Sequence, residues 1–169
     1  MNIQDVQTCG FFTLFANGKF IGKVKNTWVD EGLNYLIGAL DSGRFTQETN
    51  MYLALHSGAT APVVGWTASS YPTVAAENQD TDIGYTGNRP LWTPDAAANN
   101  IIDSANTPSR FPLVSTSGTV TFTGLALLSR DLRGGTQGKL ISAANFTTPL
   151  TFPDGTNFDV GWGGSLAAA

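Results

Sequence analysis

Residues 11–24 read Phe-Phe-Thr-Leu-Phe-Ala-Asn-Gly-Lys-Phe-Ile-Gly-Lys-Val, with an Asn-Gly pair between two β-prone runs. Asn17 and Gly18 tolerate the positive φ that a type I′ turn requires of both its central residues. This pattern predicts a β-hairpin over residues 10–25. On its second strand one face is predicted to be largely apolar and the other to carry two lysines, because Phe20, Gly22 and Val24 alternate with Lys19, Ile21 and Lys23.

Further strands are predicted by short β-prone runs that Gly, Pro, Asn and Asp residues separate. A block at residues 84–92 contains Pro90, which favours a sheet edge or a bulge because proline cannot donate to a ladder. Another strand is predicted over residues 119–128, where threonines at 119, 121 and 123 alternate with Val120, Phe122 and Gly124, which indicates one wet and one dry face. The other predicted strands cover residues 51–57, 101–102, 110–114, 139–146 and 158–162.

One helix is predicted over residues 28–40. Asn26 or Thr27 can cap it, and Asp30 and Glu31 place negative charge in its first turn, where the helix dipole favours it. Its apolar residues recur at helical spacing, and we expect this stripe to close one end or face of a β core. The stripe consists of Val29, Leu33, Leu36, Ile37 and Leu40.

One helix and about eight short strands predict a mainly β protein, an antiparallel β-sandwich with a jelly roll as the leading architecture. The chain has 169 residues and a mass of 17.8 kDa. Domains typically hold about 100 to 200 residues, so we expect a single β-sandwich domain over residues 1–169.

The composition excludes several classes of partner and site. Charged residues make up only 13% of the chain, about half the usual quarter, so we expect much of the surface to meet protein rather than water. The net charge of −4 argues against a nucleic-acid partner, which needs a broad basic surface. Apolar stretches are shorter than the ~20 residues that cross a bilayer, and the N-terminus lacks signal-peptide features, so we expect neither membrane insertion nor export. The lone Cys9 excludes an intrachain disulfide and a cysteine-based zinc cage.

Candidates for catalysis or metal binding are few. His56, the only histidine, lies beside Ser57 at a predicted strand end, but no serine sits in a Gly-x-Ser-x-Gly nucleophile elbow. Glu77, Asp80 and Asp82 could serve as an acid–base pair or as calcium ligands, although their spacing lacks the glycine and terminal glutamate of a calcium loop. The simpler interpretation is a strand-end histidine and solvated acidic residues. We therefore predict no enzyme activity, no cofactor and no metal.

Residues 59–79 form a long segment with little periodicity, which predicts an ordered loop. Its Trp66 and Tyr71 are side chains that serve well as interface anchors. The alternative, that both rings fold back over the chain's own core, stays open at this point.

The predicted interface joins aromatic anchors to arginine partners. Arginine suits interfaces because its planar donors are weakly hydrated. The alternative for the arginines is local pairing with Asp82, Asp103 or Asp131 of the same subunit. The predicted set is Trp66, Tyr71, Tyr85, Arg89, Trp92 and Arg110.

The order of several motifs carries a resemblance to a known family. Lys25-Asn26-Thr27 leads into Glu31-Gly32-Leu33-Asn34-Tyr35-Leu36, and Tyr52-Leu53-Ala54-Leu55-His56-Ser57-Gly58 follows. Glu77, Gly84-Tyr85-Thr86, Arg89 and a late Gly138-Lys139-Leu140-Ile141 strand complete the order. Over most of residues 10–166 this resembles small virion proteins of tailed bacteriophages with a jelly-roll or related β-sandwich fold. The family often places the arginine directly after the tyrosine and one further residue, whereas here Gly87-Asn88 intervene before Arg89, so no family role passes to Arg89.

The resemblance implies a structural protein rather than an enzyme. We expect a capsid cement or decoration protein that stabilises the head by docking on the major capsid protein or other virion proteins, with several copies of itself in the assembly. Such a protein would be made in the host cytoplasm and reside in the virion. The alternative is a tail- or head-fibre adhesin module that binds a host glycan or receptor, with Asp80, Asp82 or Asn88 as hydrogen-bond partners of the sugar.

Overall fold

The computed structural model describes residues 6–39, 46–104 and 106–168. Two antiparallel sheets face each other, which confirms the predicted mainly β sandwich. The strands are β1 (Val6–Ala16), β2 (Lys19–Lys25), β3 (Thr27–Trp28), β4 (Met51–His56), β5 (Ile83–Tyr85), β6 (Leu91–Trp92), β7 (Ile101–Asp103), β8 (Ser109–Ser115), β9 (Thr119–Leu128), β10 (Leu140–Pro153) and β11 (Asn157–Ala168). The helices are α1 (Asp30–Gly38) and the single turn α2 (Tyr71–Val74).

The first sheet has the order β2-β1-β11-β8-β5, and β7 also pairs with β11. The second sheet has the order β3-β10-β9-β4-β6. The strands β5 and β6, on either side of Pro90, are both edge strands, as the proline predicted.

The predicted hairpin is confirmed as β1 and β2. Asn17 and Gly18 have φ values of 48° and 78°, as a type I′ turn requires. The register shifts by one residue beyond Phe15, however, so that Phe20 pairs with Phe15 and Gly22 with Leu14. This bulge corrects the predicted alternation, because it turns Phe20 onto the outer face of the sheet and leaves it 57% exposed.

The main core lies between the two sheets. Its largest members come from alternate positions of the central strands, as period-2 patterning demands. They include Phe12, Phe111, Phe122, Phe158 and Trp162.

A second core covers the outer face of the second sheet. Residues 59–79, predicted as a loop, lie across this face and contain α2, which the sequence did not predict. Ala54, Ala126 and Leu128 point from the sheet into this layer. Residues 125–128 are consequently buried on both faces, although the pattern of residues 119–124 predicts one wet face.

Helix α1 is shorter than predicted and begins without a side-chain cap. Its N-cap is Val29 rather than Asn26 or Thr27, because Thr27 lies in β3, where it pairs with Ala143 of β10. Gly32 lets the helix backbone lie against β10, since a Cβ there would stand 2.2 Å from the Ile141 carbonyl oxygen. Of the predicted stripe, Val29 is buried and Ile37 is 64% exposed; Leu40 lies outside the described residues.

Candidate functional site

The four aromatic residues predicted as interface anchors lie inside the chain. Trp66 and Tyr71 belong to the second core, and Tyr85 and Trp92 belong to the main core. Tyr71 and Tyr85 are fully buried. The anchor prediction needed exposed rings and is therefore corrected, and for Trp66 and Tyr71 the alternative holds that they cover the chain's own core.

One edge-to-face aromatic cluster joins residues 59–79, which we call the covering segment, to strand β4. It consists of Trp66 and Tyr71 from this segment and His56 from the strand. The His56 ring centroid lies 6.4 Å from that of Trp66 and 5.8 Å from that of Tyr71. Such contacts add about 0.5–1.5 kcal/mol each beyond simple burial. The cluster fastens the covering segment to strand β4.

The hydrogen bonds of His56 define its tautomer. The side-chain nitrogen of Asn145 donates to the carbonyl oxygen of Thr60, so its Oδ1 faces His56 as an acceptor. His56 Nε2–H therefore donates to Asn145 Oδ1 over 2.9 Å, and Nδ1 accepts from the Tyr71 hydroxyl over 3.2 Å. Burial lowers the pKa of His56 to about 4, although the bond to Asn145 opposes this. A neutral, fully buried imidazole with both nitrogens engaged serves the fold.

The acidic residues predicted as a possible catalytic or calcium site have different surroundings and different partners. Glu77 is buried and forms a bidentate ion pair with Arg89, in which Nε lies 2.7 Å from Oε1 and Nη2 lies 2.6 Å from Oε2. Asp80 instead remains near the surface, where its Oδ1 accepts the backbone N–H groups of Asp82 and Ile83. Within residues 6–39, 46–104 and 106–168, no group of three or more His, Cys, Asp or Glu side chains is placed to hold a metal ion.

Arg89, predicted as a polar interface partner, is a core residue. Its Nη1 also donates to the Arg130 carbonyl oxygen over 2.9 Å, and the Gly134 N–H donates to Glu77 over 2.9 Å. Burial alone would lower the pKa of Arg89, but the Glu77 carboxylate outweighs it and raises the pKa. The pair connects the segment before β5 with the turn at residues 130–135.

Arg110 is the one member of the predicted interface set whose side chain is exposed, at 58%. It forms a bidentate pair with Asp159, which lies directly opposite it across β8 and β11. Arg130 pairs with Glu48. Local pairing is thus the arrangement found for these arginines, but with partners other than the predicted Asp82, Asp103 and Asp131.

An apolar surface at one end of the sandwich was not predicted. We call it the open end: a cleft of about 540 Å³ between α1, the start of β4 and β6, continuing into a hollow of about 300 Å³ beside β7 and β11. The two spaces share the side chains of Trp28, Leu36 and Ile102. Trp162 forms part of the cleft wall and stacks edge-to-face on Trp28, with 5.6 Å between ring centroids.

Exposed aliphatic side chains surround the open end. Leu91 is 47% exposed, Ile101 is 40% exposed and Leu166 is 41% exposed. The sequence contained one weak signal for this surface: Ile101 and Ile102 are consecutive in a strand, where neighbouring residues point to opposite faces, so both can be buried only if both faces of the strand are covered.

The chain was compared with protein-family models and with curated proteins. No protein-family model matches the chain, and no curated protein matches it. Among the described helices, none is both long and apolar enough to span a bilayer.

Proposed function

We propose that this chain is a structural protein of a tailed-bacteriophage particle, above all a capsid cement or decoration protein that docks on capsid subunits. The observation that carries the proposal is the open end, where aliphatic side chains and an apolar cleft meet solvent on a protein with only 13% charged residues. Contiguous exposed apolar surface of this kind marks an interaction site. The motif order described above and the sandwich fold agree with the role.

The surroundings of the chemically reactive side chains support a structural role rather than a catalytic one. His56 and the Glu77–Arg89 pair are buried and fully engaged in holding segments together. The burial of Trp66, Tyr71, Tyr85 and Trp92 removes them both as docking anchors and as rings that could stack on a sugar. The fibre-adhesin alternative receives less support, because the exposed side chains of the open end are aliphatic and suit contact with protein.

Docking would work through many weak contacts. Complete burial of a leucine or isoleucine contributes about 1.5–3 kcal/mol, so covering half-exposed Leu91, Ile101 and Leu166 contributes roughly 1 kcal/mol each. A lattice of capsid subunits presents neighbouring sites at high effective concentration, which multiplies a modest single contact.

The test is the occupancy of purified particles assembled with variant protein. Leu91→Thr combined with Ile101→Thr removes apolar contact from the open end while keeping β-compatible side chains. Losing roughly 2 kcal/mol per site should lower occupancy at limiting protein by about tenfold or more. The matched control is Val63→Thr, because Val63 is 55% exposed but lies in the covering segment away from the open end. Wild-type occupancy by the double variant, or wild-type protein absent from particles, would overturn the proposal.

A further inference from the structure

A second surface of the molecule lies at the edge strand β2, away from the residues that line the open end. Three of the chain's nine basic residues, Lys19, Lys23 and Lys25, lie on this strand. Without them the chain has six basic residues against thirteen acidic ones. The β2 edge is therefore a basic feature on an acidic protein.

The other cations of the described chain are already engaged. Arg89, Arg110, Arg130 and Lys139 form ion pairs, and Arg133 donates a hydrogen bond to the Tyr85 carbonyl oxygen. None of the ion pairs within the described ranges involves a lysine of β2. Lys23 does lie over the Phe11 ring, 3.3 Å from its centroid, which holds the ammonium on the outer face of the sheet.

The backbone of β2 is paired on one side only. Six of its seven residues pair with β1, Ile21 being the unpaired bulge residue, and no described strand pairs with its other side. Asn26 N–H donates to the Gly10 carbonyl oxygen, so by alternation Val24 also turns its main-chain groups towards β1. Lys23 and Lys25 therefore direct their N–H and C=O groups outward, where an added strand would bind.

The opposite edge of the same sheet is closed by side chains. At β5, Asp80 Oδ1 accepts the Ile83 N–H, and Asn78 Nδ2 donates to the Ile83 carbonyl oxygen. Arg133 Nη1 donates to the Tyr85 carbonyl oxygen over 2.7 Å. Side chains thus occupy the outward backbone groups of β5. The β2 edge is the longer of the two, and its outward groups at Lys23 and Lys25 can accept a strand.

Exposed apolar side chains accompany the lysines. Phe20 is 57% exposed and Ile21 is 42% exposed. The bulge places Phe20 against Phe15, edge-to-face at 5.9 Å, on the same outer face as Lys23. The edge thus offers an apolar contact near the turn and two cations farther along the strand.

We infer that the β2 edge binds an extended, acidic segment of another protein by strand addition. Lys23 and Lys25 are two residues apart and share one face, so the complementary segment carries acidic side chains at alternating positions, with an apolar residue towards Phe20. A second copy fits poorly, because pairing two β2 edges would bring three lysines against three lysines. The same repulsion that prevents self-pairing selects an acidic partner.

The experiment measures binding of a synthetic strand peptide to the purified protein by NMR. The peptide alternates glutamate with threonine and ends in phenylalanine and valine, and the control peptide replaces glutamate with lysine. Strand addition predicts saturable binding of the acidic peptide alone and slowed hydrogen exchange at the amides of Lys23 and Lys25. Peptide binding without that amide protection, or no binding up to millimolar peptide, would refute strand addition.

Variants complete the test. Lys23→Glu with Lys25→Glu turns two attractive cross-strand pairs into two repulsive ones and should weaken binding by about tenfold or more. Lys139→Gln, at a half-exposed lysine distant from β2 in sequence and sheet, should leave binding unchanged. Equal binding by the charge-reversed protein, or protection of these amides by self-association without peptide, would contradict the inference. The measurement needs no phage particle, so its result is separate from that for the open end.

Discussion

His56 should make the stability of this fold depend on pH below 6.5, starting well above the ordinary pKa values of Asp and Glu. It is the only histidine, and it is fully buried between Tyr71 and Asn145. Burial lowers its pKa from 6.5 to about 4. As the pH falls, the unfolded chain binds a proton near pH 6.5 while the folded chain keeps the imidazole neutral. The stabilisation is therefore complete above pH 6.5 and is lost as the pH falls towards 4.

The size of the effect follows from these two pKa values. A difference between 6.5 and about 4 corresponds to roughly 3 kcal/mol once both states are protonated, and about 2 kcal/mol is already lost at about pH 5. For a chain of this length, about 2 kcal/mol lowers the unfolding temperature by roughly 4–8 °C.

Urea unfolding followed by tryptophan fluorescence, at about pH 7.5 and about pH 5, measures the loss. The comparison protein is His56→Gln, whose amide can still donate to Asn145 and accept from Tyr71 but cannot titrate. All carboxylates remain in both proteins, so the difference between the two pH profiles isolates the imidazole. The wild type should lose about 2 kcal/mol more than the variant. Parallel profiles, or an NMR titration of the His56 ring near pH 6.5, would show that the imidazole is solvated and refute the reasoning.

Two further predictions concern the buried groups. Glu77→Gln leaves the Arg89 guanidinium buried without its counterion and should lower the free energy of unfolding in urea by about 3–5 kcal/mol. The matched variant Asp159→Asn breaks the pair between buried Asp159 and exposed Arg110 and should cost much less, because the guanidinium left without a partner remains in water; similar losses would contradict the assigned burial of Arg89. Trp66→Ala opens the second core and should cost about 3–5 kcal/mol, with Trp66→Phe losing less; unchanged thermal stability of the alanine variant would mean that the ring does not support the fold.

The covering segment has a consequence for how the sandwich is stabilised. Residues 59–79 bury the outer face of the second sheet, so β4 and β9 contribute side chains to two cores. Glu31 adds a polar tie, because its Oε2 accepts the N–H groups of Ala68 and Leu140 at 2.7 and 2.8 Å. One carboxylate of α1 thus joins the covering segment to β10.

Short sequence patterns were sufficient to predict those features of the fold that depend on neighbouring residues. Asn17-Gly18 predicted the hairpin because both residues tolerate positive φ, and Pro90 predicted edge strands because it lacks an N–H. The alternation of residues 119–124 predicted one buried face, and one helix with about eight short strands predicted the antiparallel sandwich. These features depend on backbone preferences and on a period of two residues, which can be recognised within a few positions.

Burial of individual side chains could not be predicted from such short sequence patterns. Trp66, Tyr71 and Arg89 have the same chemistry at an interface as in a core. The packing of residues 59–79 on the second sheet decided that the two rings lie inside, and contacts with Glu77 and the Arg130 carbonyl oxygen decided it for Arg89. Glu77 and Arg89 find each other across twelve positions, and Arg110 and Asp159 across forty-nine. A bulge of one residue sufficed to turn Phe20 outward. The sequence by itself determined the fold class, the first hairpin and most of the longer strands, but it missed β3 and took residues 84–92 as one block where the structure has β5 and β6 in different sheets. The long-range pairing of the strands decided which faces are covered, because coverage depends on residues distant along the chain.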